Sequence, residues 1–151
     1  MSESTDRAQT DDVSQAMKDK IAASFAAQGL MNSLGARLGD VDKGEVHIHL
    51  PMSPEVTQQH GFFHGGATST IADSAGGYAA LTMFDSESAV LTVEFKINLI
   101  APAVGEELEA IGTVLKPGRT LTISRLEVFA HDGGKRKLVA AGQQTLIKAQ
   151  A

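Results

Sequence analysis

One carboxylate stands out by its surroundings. Residues 67–83 run Ala-Thr-Ser-Thr-Ile-Ala-Asp-Ser-Ala-Gly-Gly-Tyr-Ala-Ala-Leu-Thr-Met, whose length and alanine content predict a helix. Gly76 and Gly77 sit in its middle, where each costs about 1 kcal/mol relative to alanine. Such a cost points to something that must come close. Ser69, Asp73, Gly76, Gly77 and Ala80 are spaced for one helical stripe with a single carboxylate and almost no bulk. A sheet, a second copy of the chain or a ligand beside Asp73 would pack there. A lone aspartate on a helix is more often a solvated surface residue, so the pattern alone leaves both readings open.

His64-Gly65-Gly66 directly precedes this helix, and no Ser, Thr, Asp or Asn stands at its start to cap the first turn. The first N–H groups of a helix lack internal partners and carry partial positive charge. Two glycines let a ligand approach that backbone closely. An oxygen gaining negative charge could bind there, the logic of an oxyanion hole. A plain glycine-rich connector is the competing reading. Asp73 lies two turns further on, roughly 10 Å along the axis. One substrate atom cannot touch both within a bare helix. The carboxylate therefore acts across an interface or through water, or the two features belong to different copies.

Other candidates are weaker. His60 and His64 have i, i+4 spacing, but they flank Gly61 in a loop without an obvious carboxylate ligand, so no metal site is expected. His64 is read as orienting the loop. His47 and His49 share one face of a strand, read as solvated or edge-facing. Phe62 and Phe63 either line a pocket or belong to the core. Eight of the 13 basic residues follow residue 95, and Arg119, after the Pro117-Gly118 turn, is the best placed to grip a phosphate.

The elements that must position these residues follow from periodicity. Val13, Met17, Ile21 and Phe25 recur every four residues, an amphipathic helix that Gly29, Asn32 and Gly35 break into a loop. Residues 45–50 alternate as a strand ended by Pro51 and Pro54. After the small-residue helix, strands are predicted at 90–100, 106–115, 120–130 and 137–148, with a hairpin turn at Asp132-Gly133-Gly134. In the first of these, Val93, Phe95, Ile97 and Leu99 share one face and Glu94, Lys96 and Asn98 the other. Sequential antiparallel strands against one long helix indicate an α+β fold, and no βα alternation suggests a doubly wound one.

Composition excludes several classes. At 151 residues the chain suits one domain, read as 13–151 after a flexible acidic tail at 1–12. The absence of cysteine removes thiol nucleophiles and Cys-ligated metals. A net charge of -5, with aromatics at 5 %, argues against a nucleic-acid partner. No apolar run is long enough for a membrane span, and no signal peptide is evident, so a cytoplasmic location is expected.

His64-Gly65-Gly66-x4-Ile71-Ala72-Asp73 resembles the signature of hotdog-fold thioesterases of the PaaI, phenylacetate-degradation, type. Ala101-Pro102-x-x-Gly105-Glu106 and Gly118-Arg119 extend the likeness, which covers about residues 40–148. The resemblance implies a long central helix wrapped by a curved antiparallel sheet, here with an extra N-terminal helix. It implies homodimers with active sites at the interface, paired into homotetramers, and hydrolysis of acyl-CoA without a cofactor beyond the substrate's own CoA. On that likeness Asp73 is the general base or nucleophile, and the N–H of Gly65 or Gly66 is the oxyanion donor. Gln58 stands where many relatives carry an orienting Asn. Thr92 falls where a partner chain's Ser or Thr assists. Phe62, Phe63 and Arg119 become substrate-binding candidates. A non-catalytic acyl-CoA-binding hotdog protein is the alternative. A hydratase or dehydratase ranks below it, because the His-x-Phe-Pro context of those enzymes is missing.

Overall fold

The Ser14 hydroxyl accepts the Met17 N–H at 3.1 Å and so caps helix α1 (Gln15–Ala27). Met17, Ile21 and Phe25 are buried, as their four-residue spacing predicts. The computed structural model describes residues 12–150, so the acidic tail at 1–12 lies, apart from Asp12, outside the described residues. Where the sequence reads as a loop, a second short helix forms, α2 (Gly29–Leu34). Asn32 lies inside it, and only Gly35 ends it, in left-handed backbone at φ 74°. A helix of this length is not stable alone; burial of Met31 in the core holds it.

Among the described residues six strands form an antiparallel sheet of order β1-β2-β4-β5-β6-β3. They are β1 (Arg37–Asp42), β2 (Glu45–Pro51), β3 (Ser88–Leu99), β4 (Glu107–Lys116), β5 (Leu121–Asp132) and β6 (Lys135–Gln150). The sequence does not announce β1, because Gly39, Asp40 and Asp42 are poor strand formers. Pairing with β2 supplies its ladder.

Helix α3 (Gly65–Leu81) runs along the sheet's inner face and touches β2, β3, β4, β5 and β6. Ile71, Ala72, Ala75 and Ala79 pack with Val46, Ile48, Leu50, Leu108, Leu126 and Val128 in the core. The small side chains of α3 let the sheet close around it. Gly112 on β4 shows how tightly: a Cβ there would collide with the Ala75 carbonyl and the Gly76 N–H. This is the hotdog arrangement.

Strand β3 is an edge strand, bonded to β6 on one side only, and it exposes Leu91, Val93, Phe95 and Leu99. It also carries a bulge. Thr92 pairs with Leu146 and Glu94 with Thr145, which leaves Val93 as the extra residue. Cross-strand partners share a face. Thr92 therefore joins Phe95, the partner of Gln144, on the face toward α3, and the uninterrupted alternation read from the sequence fails at Val93.

The outer face of β2, β4 and β5 carries a charged network. His47 pairs with Glu45 at 2.7 Å and with Glu109 at 3.2 Å, and His131 reaches Glu109 at 3.3 Å. Burial opposes the charged form of His47, but hydrogen bonds to Glu45 and Glu109 outweigh it and raise its pKa above 6.5. Burial likewise opposes ionisation of Glu109, and hydrogen bonds from His47 and His131 bring its pKa below 4.5. His49 Nδ1 lies 2.7 Å from Glu107 Oε1, so both His47 and His49 contact carboxylates rather than being simply solvated. Among the described residues no group of three or more His, Cys, Asp or Glu could hold a metal ion.

Candidate active site

Asp73 projects from the middle of α3 and is half-buried. The Thr92 hydroxyl donates to its Oδ1 at 2.8 Å. Gln144 on β6 donates through Nε2 to the Asp73 carbonyl at 3.0 Å, to Thr92 Oγ1 at 2.9 Å, and to Asp73 Oδ1. Three elements thus meet at one carboxylate. The resemblance assigns Thr92 to a partner chain's site, whereas the structure pairs it with Asp73 of its own chain.

Asp73 and Thr92 open onto a cavity of about 460 Å³ between α1, α3 and β3. Gly77 and Leu81 line it on α3, and Lys20 and Ser24 of α1 line it with Gln28, the residue that ends α1. The Tyr78 hydroxyl bonds Ser24 at 3.0 Å and Gln28 at 2.6 Å. Lys20 donates to the carbonyls of Ser86 and Ser88, which ties α1 to the start of β3. The predicted small-residue stripe divides here. Asp73 and Gly77 face the cavity, Gly76 and Ala80 are buried, and the Ser69 hydroxyl bonds back to the Gly65 carbonyl at 2.8 Å.

The helix start is a separate place. His64 is the N-cap of α3, and its Nδ1 accepts the Gly66 N–H at 2.7 Å. The sequence reading finds no capping side chain there, because histidine is not among the usual caps. The consequence is selective: Gly66's N–H is occupied, and the Gly65 N–H has no acceptor among the described residues. Gly65 borders a second cavity of about 390 Å³ with Gln58, Phe62, Phe63, Leu99 and Ala101.

Around this second cavity the roles are uneven. The Gln58 Oε1 accepts the N–H groups of His60 and Phe62, so its amide braces its own loop. Phe63 is 3 % exposed and belongs to the core, while Phe62, at 37 %, is open at the rim. Arg119 is exposed in the β4–β5 connection and lines neither cavity. The chain therefore gathers Asp73, Thr92 and Gln144 at one place and Gly65, Gln58 and Phe62 at another. It does not bring the two sets together. Gln144 escapes the sequence reading. The available signal was a polar residue in the row Ala140, Gly142, Gln144, Leu146, whose alternate positions face the helix.

Residues 60–137 match the sequence pattern of the thioesterase superfamily. The chain belongs to that superfamily. A thioesterase family protein from Silicibacter pomeroyi is 42 % identical in sequence, with a TM-score of 0.86 over 89 % of this chain and 99 % of that one. Human acyl-coenzyme A thioesterase 13 is 29 % identical over 135 residues, spanning 88 % of this chain and 94 % of its own length. The PaaI protein of the E. coli phenylacetic acid degradation operon shares the fold, with a TM-score of 0.81 at 18 % identity over 92 % of this chain and 97 % of that one. This thioesterase is thus a thioester hydrolase with the hotdog fold.

Proposed function

We propose that this thioesterase hydrolyses acyl-CoA in a site completed by two copies of the chain. The observation that carries the reading is the placement of both half-sites along β3. The Asp73 cavity lies beside its first part, Ser88–Thr92, and the Gly65 cavity beside its end, Leu99 and the following Ile100. Two β3 edges paired antiparallel about a twofold axis exchange their ends. The first part of one strand then faces the last part of the other, and Gly65 of one copy comes opposite Asp73 of its partner. The exposed apolar side chains of β3 supply the surface for that pairing. Pairing of such dimers into tetramers rests on the family likeness alone.

In this reading Asp73 acts as general base. Thr92 and Gln144 engage Oδ1, which leaves Oδ2 for a water. The water oxygen attacks the thioester carbon while its proton passes to Asp73. The carbonyl electrons move onto oxygen, which the unpaired Gly65 N–H and the positive end of α3 stabilise. The C–S bond then breaks, and the CoA thiolate takes up the proton. The acyl group occupies the cavity walled by α1. No metal or separate cofactor enters these steps. Among the described residues no helix is long and apolar enough to cross a membrane, and the reading places the enzyme in the cytoplasm, where CoA esters are abundant.

The test is a panel of aryl, short-chain and long-chain acyl-CoA esters with wild-type protein and Asp73→Asn. We expect turnover on part of the panel and a loss above about 10²-fold in the variant, the scale of a positioned base. Tight binding of every ester without turnover would establish the non-catalytic alternative. Trapping of an acylated Asp73 by hydroxylamine would replace the general-base role with direct attack by the carboxylate.

A further inference from the structure

Gln144 is an expensive choice for its position. It is 1 % exposed, on the inner face of β6 beside Leu146, where an apolar side chain would fill the space without polar groups to satisfy. Its Oε1 is buried with no hydrogen-bond partner among the described residues. A buried carbonyl without a donor is destabilising. Gly76 lies against that oxygen, and a Cβ there would collide with it and with Leu126. The chain therefore carries two local penalties, an unpaired acceptor and a mid-helix glycine, around one amide.

The amide's other end accounts for this. Nε2 meets three acceptors: Asp73 Oδ1, the Asp73 carbonyl and Thr92 Oγ1. Its orientation follows from the acceptors, since turning it over would set Oε1 against a carboxylate and bury the NH2 against Leu126. The Thr92 hydroxyl has one proton and gives it to Asp73, so it accepts from Gln144. The donors converge on a single carboxylate oxygen.

We infer that Gln144 is a positioning residue for the hydrolysis: it fixes the Asp73 carboxylate so that Oδ2 faces the cavity. The inference rests on the reading of Asp73 as the general base. The remaining groups around the carboxylate do not duplicate this role. Lys20 on α1 and Tyr78 on α3 line the same cavity, but Lys20 is engaged with Ser86 and Ser88 and Tyr78 with Ser24 and Gln28. On β3, Glu94 accepts from Thr145. On β5, Ser124 donates to the Gly76 carbonyl.

The experiment compares pH profiles and melting curves of the full chain with those of Gln144→Met and Gln144→Glu. Methionine keeps the length and removes both the donors and the orphaned carbonyl. Its melting temperature should match or exceed the wild type, while kcat falls about 10- to 100-fold with KM nearly unchanged. Its acid limb should move to higher pH, because the carboxylate has lost donors that favour its charged form. Glutamate puts a second carboxyl beside Asp73, so the pair shares a proton and the limb should move further in the same direction. In the wild type, the Gln144 side-chain amide resonances should titrate with that limb, a readout that needs no variant. A lowered melting temperature with an unmoved acid limb, or amide resonances that ignore the titration, overturns the inference. An active Asp73→Asn removes the base assignment and this inference with it. An inactive Asp73→Asn beside wild-type profiles in both Gln144 variants removes this inference alone.

Discussion

The carbonyl of Gln144 occupies the space that a side chain at residue 76 would need. Gly76 is buried under it, with Leu126 closing the other side. Gly77, one residue on, has only ordinary contact: a Cβ there would lie 3.6 Å from Leu146 Cδ2. Two adjacent helical glycines are thus in opposite situations, and alanine should affect them with opposite sign. Gly76→Ala overpacks the core at a cost of about 1–3 kcal/mol, only partly offset by helix propensity. It should lower both the melting temperature and kcat, since Gln144 must move. Gly77→Ala should raise stability by about 0.5–1 kcal/mol. Thermal melts of the two variants decide the matter, and equal shifts would refute the role given to Gln144's carbonyl.

Gly65 permits a substitution that removes one atom group with little else. It is the first residue of α3, where proline is well tolerated. His64 before it has φ -65° and ψ 137°, the extended backbone that a residue preceding proline requires. The neighbour that a Cβ would meet is the flexible tip of Leu99. Gly65→Pro should therefore fold and lose only the unpaired N–H. As the oxyanion donor, that N–H is worth about 10²–10³ in kcat. Gly66→Ala, whose N–H is bound by His64, should cost far less. Steady-state kinetics on both variants test the assignment.

How much of this could be read in advance depended on whether neighbouring residues in sequence carried the signal. Helix α3 and its glycines form one contiguous segment, so length and alanine content sufficed for the helix, while spacing alone left Asp73 open between a solvated residue and a site. Strand β2 and the Asp132-Gly133-Gly134 turn were similarly local. Strand β1 was invisible because its residues are weak strand formers and only β2 makes it a strand. The Val93 bulge was invisible because nothing in Thr92-Val93-Glu94 departs from alternation; the register against β6 decides it. Gln144 reaches Asp73 across 71 positions of chain, and nothing in its residue type sets it apart from the adjacent Gln143 on the other face of the strand. The His64 cap was missed because its imidazole replaces the hydroxyl or carboxylate usually sought at that position.

The outer-face network gives a pH dependence whose sign is fixed. His47 has a raised pKa in the folded chain, so its contribution is complete below 6.5 and is lost as pH rises through the raised value. Glu109 has a lowered one, so its contribution is present above 4.5 and is lost as pH falls through the lowered value. Both act together between those two limits. Hence the melting temperature of wild type minus that of His47→Gln should be greatest between pH 4.5 and 6.5 and shrink on either side. A difference that grows steadily toward alkaline pH would contradict the pairing. Activity should not follow this network, which lies on the opposite face of the sheet.

The shared site makes a prediction that no single-chain arrangement shares. Asp73→Asn destroys the base and leaves Gly65 intact; Gly65→Pro does the reverse. If each site takes Asp73 from one copy and Gly65 from the other, either homodimer is inactive at both sites. A mixed dimer, however, has one site with both defects and one with neither. Co-refolding equal amounts makes half the dimers mixed, so activity should return to about a quarter of the wild-type value. If both groups came from the same chain, every site in the mixture would carry one defect and no activity would return. A charged residue on the free edge of β3, such as Val93→Lys, should block the pairing. In size-exclusion chromatography with light scattering, it should shift the protein toward monomer and abolish turnover even though Asp73, Thr92 and Gln144 remain in place. A monomeric Val93→Lys protein with full activity would instead confine catalysis to a single chain.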